Sequence, residues 1–394
     1  MSTAKTIHQE RLVPTLAVVT FAKIMLNGAR RFPYLILTPM AAALGVPRST
    51  VEAALSAQWA VGVFSPLVGS AIDRVGRKRM MLIGMGGLAV FMAVAAVGQV
   101  AGIVLLGLVA SGIAKIIFDP AMEAYIGDHT PYERRGTAIG ITELAWSASL
   151  FIFGPLAVYL IVQASLGAIF AVLAAGSAFS VILLWRIVPA DHPTEHHEQP
   201  KTAIRDALRL LASPSVLALL VVGAFISIAA ESISIIYEAW LRQSFGITTL
   251  VLGTVAWVFS AAEVTGEGVV IGIADRFGKR SLALVAIVAT GIVYLMLPLL
   301  GTSDVTAVAL LFLMYLFFEI TVVVLIPLAT EALPEARGVM LTAYLAAVSV
   351  GRAFGTLLGG WMFRTAGIGL NGVVAMTLSL VSAALIWRYV VERR

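Results

Sequence analysis

Apolar runs of about twenty residues, separated by short polar, glycine- or proline-bearing loops, follow one another along the chain. A helix crossing about 30 Å of hydrocarbon needs roughly 20 residues. On that basis the pattern predicts twelve spanning helices, over 12–42, 50–72, 79–98, 101–126, 137–162 and 165–188, then 213–240, 248–272, 281–300, 305–330, 338–363 and 367–390. The apolar run after polar residues 1–11 continues to about Leu44 without a small-residue cleavage site, so it reads as a spanning helix and not as a signal peptide. Between the sixth and seventh helices Pro189, Pro193 and Pro200 interrupt the pattern, and His192, His196 and His197 lie among acids. A solvated polar linker explains these histidines better than a metal site does. Within the linker, Ile204 to Leu211 is amphipathic and is expected to lie along the membrane surface. Ser213-Pro214 reads as an N-cap and first-turn proline opening the seventh helix. The expected organisation is a six-helix bundle over 1–188, a linker with a short amphipathic helix over 189–212, and a second six-helix bundle over 213–394.

The chain is one membrane unit written twice. Asp73-Arg74-Val75-Gly76-Arg77-Lys78-Arg79 returns 202 positions later as Asp275-Arg276-Phe277-Gly278-Lys279-Arg280. Asp128-His129-Thr130-Pro131, leading to Arg135-Gly136, recurs as Glu331-Ala332-Leu333-Pro334 leading to Arg337-Gly338. Two similar halves in one bilayer are a common way of building a carrier that rocks about a central site.

Composition agrees with the pattern. Hydrophobic residues make up 60% of the chain and charged residues 12%, with a mean hydropathy of +0.96, more apolar surface than a packed soluble core of this length needs. Cysteine is absent, which removes disulfides, thiol nucleophiles and thiolate metal sites. Most of the 27 Lys and Arg residues fall at the termini, in the loops on their side and in the linker, whereas Arg48, Arg242 and Arg364 lie on the opposite side. The positive-inside rule therefore places both termini in the cytoplasm. The pI near 9.6 follows from that topology, and no nucleic-acid partner is expected.

The segment from Gly69-Ser70-Ala71-Ile72 through Asp73-Arg74-Val75-Gly76-Arg77-Lys78-Arg79 resembles the loop signature between the second and third helices of the major facilitator superfamily. The resemblance extends over nearly the whole chain through the twelve spans, the 6+6 repeat, the central linker and the Arg-Gly pairs after the fourth and tenth helices. It implies an all-α integral membrane fold of two pseudo-symmetric six-helix bundles. Size and short loops are similar to the sugar-efflux and drug:proton antiporter branch. The resemblance also implies that Gly69, Asp73, Arg74, Gly76, Arg77, Asp275 and Arg276 belong to a cytoplasmic gate that latches when the carrier faces outward. Physically, Gly69 would let the second helix approach a neighbour closely, Asp73 and Arg74 can pair at the helix end, and Gly76 permits a tight turn. The trailing basic residues can equally enforce topology and touch anionic lipid. A further family feature, a fifth helix ending in Gly-Pro followed by glycines, is reduced here to Gly154-Pro155. A glycine ladder stands instead in the eleventh helix at Gly351, Gly355, Gly359 and Gly360, where it is expected to serve close helix packing.

Charges inside spans are costly and usually face a cavity or a partner. The cations are Lys23, Arg30, Arg31, Lys115 and Arg352, and the acids singled out are Asp119, Glu123, Glu143, Glu231, Glu263, Glu267 and Glu319. Lys23, Asn27, Arg30, Arg31 and Tyr34 lie near one side of the first helix, and Lys115, Asp119 and Glu123 form one stripe at i, i+4 and i+8 of the fourth. Because the first and fourth helices line the central cavity in the superfamily, an ion pair between Arg30 or Arg31 and Asp119 or Glu123 is expected. A structural lock and a substrate clamp both remain open for it. In the second half, Glu231 falls where the repeat places Arg30, and Glu263 and Glu267 share a face at i and i+4. Two nearby acids resist joint ionisation, so one can take up and release a proton. For Glu231 and Glu263 this leaves proton coupling and structural pairing with Arg352 equally open. Glu319 is a further possible partner of Arg352.

Trp146, Tyr237, Trp240 and Trp257 are candidate stacking surfaces for an amphipathic solute, although such aromatics also serve as packing and interfacial anchors. His197-Glu198 lacks the second histidine of a zinc-protease helix, and no phosphate-cradling glycine loop with lysine is present, so neither enzymatic chemistry nor ATP is expected. The reading is a proton-coupled secondary transporter of a small organic solute, an exporter in a bacterial inner membrane. Its substrate-binding residues are Arg31, Asn27, Arg30, Tyr34, Trp146, Tyr237 and Trp257, and its proton-coupling residues are Glu231, Glu263, Asp119 and Glu123. It is expected to work as a monomer in membrane lipid, without cofactor or metal, on the proton gradient. The rivals are a symporter importing an organic anion and a non-transporting membrane receptor or lipid-interacting scaffold.

Overall fold

A computed structural model of the chain describes residues 2–190 and 213–392, without the side chains of residues 2–11, 70, 132, 133, 275 and 335. The amphipathic run at 204–211 lies outside the described residues. Among the described residues, eleven helices are long and apolar enough to cross a membrane. The last of them, Arg337–Tyr389, is interrupted at Gly367, whose φ of +68° and ψ of −173° are non-helical, so it comprises the eleventh and twelfth spans. The chain is thus an all-helical, multi-pass membrane protein.

Contacts group the chain into two units, Met1–Ala54 with Phe64–Glu195, and Leu55–Val63 with His196–Arg394. Nine residues of the second span therefore group with the second unit, where Ser56 donates to the Ala353 carbonyl at 2.8 Å.

Four spans differ from the sequence expectation in being discontinuous. The second passes through a 3-10 turn at Val61–Phe64, between Arg48–Ala60 and Ser65–Val75. The first helix stops at Arg31, passes through a 3-10 turn at Phe32–Leu35 and resumes as Leu37–Leu44, instead of running unbroken to 42. Pro33 explains the break, since it lacks an N–H and clashes with a helical carbonyl behind it. The seventh stops at Ser234 and restarts as Tyr237–Phe245. The fifth is divided at Leu144, between Tyr132–Glu143 and Ala145–Gln163, and begins earlier than the expected 137. The breaks of the first, seventh and fifth spans lie within a few residues of a charged group, Arg31, Glu231 and Glu143 respectively. As expected, Ser213 caps the seventh helix, accepting from the Val216 N–H, with Pro214 in the first turn.

The glycine ladder of the eleventh span does what small residues do in membranes. A Cβ at Gly351 would lie 2.3 Å from the Ala224 carbonyl oxygen, and one at Gly359 would lie 2.6 Å from Ser232 Cα, so the seventh and eleventh spans touch backbone to backbone. Gly69 behaves otherwise. A Cβ there would meet nothing within 4 Å, so the close helix contact expected of it is absent. Gly69→Ala should accordingly leave the melting temperature of the purified protein unchanged within about 0.5 kcal/mol of stability. A large loss would show that Gly69 is squeezed in another conformation.

Candidate solute and proton sites

Within each unit the two repeated motifs meet in three dimensions. Arg77 pairs with Asp128 at 2.7 Å, joining the loop before the third span to the end of the fourth. In the second unit Lys279, the counterpart of Arg77, pairs with Glu331, the counterpart of Asp128. Lys78 Nζ donates to the Trp185 carbonyl at 2.8 Å and to that of Val188 at 2.6 Å. Arg280 repeats the first contact on the Trp387 carbonyl at 2.7 Å. These cations complement the carbonyl ends of the sixth and twelfth helices. Gly76 and Gly278, at φ +96° and +83°, make the turns that aim the basic residues. Glu392 adds a contact of its own, accepting from the Lys279 and Arg280 N–H groups at 2.9 and 3.2 Å. The expected Asp73–Arg74 pair does not form. Both side chains are exposed, and consecutive residues on a helix do not face each other. Arg276 is exposed, 5.9 Å over the Phe277 ring, and the side chain of Asp275 lies outside the described residues.

In the first unit, polar side chains of the first, fourth and fifth spans converge. Lys115 donates to Asp119 Oδ2 at 2.5 Å, its i+4 neighbour, and to Asn27 Oδ1 at 3.1 Å. Asp119 therefore takes Lys115 as its ion-pair partner, and the expected pairing with Arg30 or Arg31 is corrected: the near cation on the same helix outcompetes one on a neighbour. Lys23, 2% exposed, pairs with Glu143 at 2.7 Å. Arg31 donates to the Trp146 carbonyl at 2.8 Å, and its guanidinium lies 4.2 Å over the Trp146 ring, a cation–π contact. Arg30 is buried, Tyr34 half-buried in the 3-10 turn, and Glu123 exposed.

In the second unit Glu231, 1% exposed, accepts from Arg352 Nη1 at 3.2 Å, and Thr356 Oγ1 lies 3.5 Å away. The Arg352 guanidinium lies 4.4 Å over the Trp59 ring and 5.7 Å from that of Phe318. Gly355 makes room for this pair, because a Cβ there would come within 2.8 Å of Glu231 Cβ. Arg352 thus takes Glu231 as a partner. Glu319 packs against the eighth span, its Cβ 2.9 Å from where a Cβ of Gly266 would be. Glu263 and Glu319 are both buried. Tyr237 is 1% exposed and edge-on to Phe259, which stacks on Tyr315 at 4.3 Å; Trp240 is buried against Phe245, and Trp257 is exposed.

Sequence reasoning missed two buried acids. Glu52, 2% exposed, pairs with Arg48, which also donates to Thr38 at 2.6 Å. Glu238, fully buried, pairs with Arg242, which donates to Thr249 at 2.5 Å. Each arginine, read from the sequence as a loop charge, ties two consecutive spans of its unit together. The i, i+4 spacing of both pairs was the available signal.

The Major Facilitator Superfamily model matches residues 19–233 and 219–394. The chain belongs to the major facilitator superfamily, a family of membrane transporters of small solutes and not of enzymes. It is 24% identical over 349 residues to the uncharacterized MFS-type transporter YwfA of Bacillus subtilis (strain 168), covering 82% of this chain and 78% of that one. It is 20% identical over 308 residues to Multidrug resistance protein 2 of the same organism, covering 76% of each. Among solved structures, a D-xylose-proton symporter superposes with a TM-score of 0.75 at 17% identity over 98% of both chains. The human organic anion transporter MFSD10 (TETRAN) superposes with a TM-score of 0.71 at 16% identity, over 95% of this chain and 99% of that one. At those identities the likeness is one of fold.

Proposed function

We propose that the protein is a proton-coupled secondary transporter that exports a small organic solute across a bacterial inner membrane by alternating access, with both termini cytoplasmic. The observation that carries this reading is the buried carboxylate of Glu231, held by Arg352 and placed one turn before the break in the seventh helix. Interrupted helices with charge beside the break are how carriers of this kind present ion sites. Glu231 and Glu263 carry the proton, and Asp119 and Glu123 are the acids of the first unit. Arg31, Arg30, Asn27, Tyr34 and Trp146 hold the solute. The Arg77–Asp128 and Lys279–Glu331 pairs, with Gly76, Asp73, Arg74 and Arg276 beside them, form the cytoplasmic latch. Similarity to Multidrug resistance protein 2 supports export. Import of an organic anion by proton symport is the second reading, favoured by the Arg31 guanidinium set against the Trp146 carbonyl and ring.

Proteoliposomes carrying a pH-sensitive dye, challenged with a panel of metabolites and amphipathic drugs, test both readings. Opposite solute and proton fluxes are expected, whereas parallel fluxes would mean symport and solute flux without proton movement would end proton coupling. Glu231→Gln and Glu263→Gln should each lose pH-gradient-driven transport while keeping solute exchange. An unaltered pH dependence in both would remove these acids from the mechanism.

A further inference from the structure

The break in the seventh helix deprives a buried backbone carbonyl of its helical donor. In a continuous helix the Ser232 carbonyl accepts from the N–H four residues on, but the Ile236 N–H turns to the Ile233 carbonyl at 3.0 Å. The twelfth span supplies the replacement. Asn371, fully buried, donates from Nδ2 to the Ser232 carbonyl at 3.0 Å and to the Gly359 carbonyl of the eleventh span at 3.0 Å. Carbonyls only accept, so the orientation of this amide is fixed: its NH2 faces both of them and Oδ1 points away. Asn371 Oδ1 meets no hydrogen-bond partner among the described residues, so the two donated bonds are what this side chain offers there.

The two carbonyls belong to the helices that carry the buried ion pair. Ser232 follows Glu231 directly, and Gly359 lies about two turns past Arg352, on the same face of its helix. The helices cross here with no room for a side chain between them: a Cβ at Gly355 would meet Glu231 Cβ at 2.8 Å, and one at Gly359 would meet Ser232 Cα at 2.6 Å. Asn371 bridges this crossing from a third helix. Its own turn is seated in the same way, because a Cβ at the adjacent Gly372 would lie 2.6 Å from the Tyr294 carbonyl oxygen of the ninth span.

Resting on the reading that Glu231 carries the proton, we infer that Asn371 is a positioning residue for it. Its amide clasps the broken end of the seventh helix to the eleventh and so fixes the register of Glu231 against Arg352. Without the clasp the Ser232 carbonyl is buried without a donor, a costly state for a backbone group. The helix end then shifts to find one, and Glu231 shifts with it. An ion pair with a 3.2 Å contact tolerates little such movement before the hydrogen bond is lost. Asn371 acts through the helix end it holds and not by touching the carboxylate.

Two measurements on the full-length protein in nanodiscs test this, with the proton as the only probe. Asn371→Leu removes both donors at similar size. In a melting cycle, Arg352→Ala should lower the melting temperature at most about half as much in the Asn371→Leu chain as in the wild type, since a displaced pair has less to lose, whereas independent sites give additive shifts. Acid-minus-alkaline infrared difference spectra then read the carboxyl group itself. The band that Glu231→Gln removes belongs to Glu231, and in Asn371→Leu that band should change frequency, which a merely structural asparagine would leave in place. Additive melting shifts, or a Glu231 band at its wild-type frequency, would each overturn the clasp. If Glu231→Gln removes no band, Glu231 does not titrate and the proton reading fails; the melting cycle still decides the clasp. Where Asn371→Leu does not fold, Asn371→Asp, which when protonated keeps one O–H donor, carries both comparisons.

Discussion

Arg352→Ala is expected to destabilise the protein by about 3–5 kcal/mol, the usual cost of removing one partner of a buried ion pair. The side chain of Glu231 is 2% exposed and that of Arg352 16%, so water cannot take over the role of the lost guanidinium. Thr356 remains, but at 3.5 Å its hydroxyl is a weak substitute for a charge. The cation–π contact with Trp59 at 4.4 Å is lost as well, and that loss adds to the effect. Glu231→Gln in the same chain should restore most of the melting temperature, because it removes the uncompensated charge and keeps an amide that Thr356 can reach. Arg352→Lys should fall between the two, since an ammonium carries the charge without the planar fork and the stacking face. Thermal melting of the purified single and double variants is the measurement. A wild-type melting curve for Arg352→Ala would mean that Glu231 is held by other groups, and its place as a paired, proton-accessible carboxylate would have to be given up.

The fold was legible in the sequence because its strongest signals are long and repeated. Twelve apolar runs, and a loop motif returning after 202 residues, define the halves and bring the basic loop of each to the acid at the end of its fourth helix. The repeat reaches single atoms, as Lys78 on the Trp185 carbonyl and Arg280 on that of Trp387 show. What the sequence left open was the choice of partners among buried charges. Spacing put Asp119 on a stripe that could face Arg30 or Arg31, and the sequence alone does not give the rotation of the first helix against the fourth. Nor does it show that Gly69 faces open space while Gly351 and Gly359 meet backbone. Glu52 and Glu238 escaped attention for a different reason. They lie close to span ends, where Arg48 and Arg242 were counted as loop charges marking sidedness, yet each arginine bends back to its own buried acid. The break after Arg31 was legible in Pro33, but the hydrophobicity of the stretch up to Leu44 masked it.

Lys115→Ala and Arg31→Ala should separate the lock of the first unit from its clamp. Lys115 neutralises Asp119 at 2.5 Å and satisfies Asn27 Oδ1 at 3.1 Å. Its removal leaves a carboxylate whose side chain is 15% exposed without a counter-charge on its own helix, at a cost of about 3 kcal/mol, the lower end of the range for buried pairs because of that partial hydration. Asp119→Asn in the same chain should recover the loss. Arg31 donates to the Trp146 carbonyl at 2.8 Å, its guanidinium 4.2 Å over the ring, whereas Asp119 is taken by Lys115. As the solute ligand of the proposed function, Arg31 should give an alanine variant that loses solute transport and solute binding, and Asp119→Asn should not raise that variant's melting temperature. If Arg31→Ala instead melts several kcal/mol below wild type and is rescued by Asp119→Asn, Arg31 is part of the lock, and the solute must be held elsewhere in the cluster.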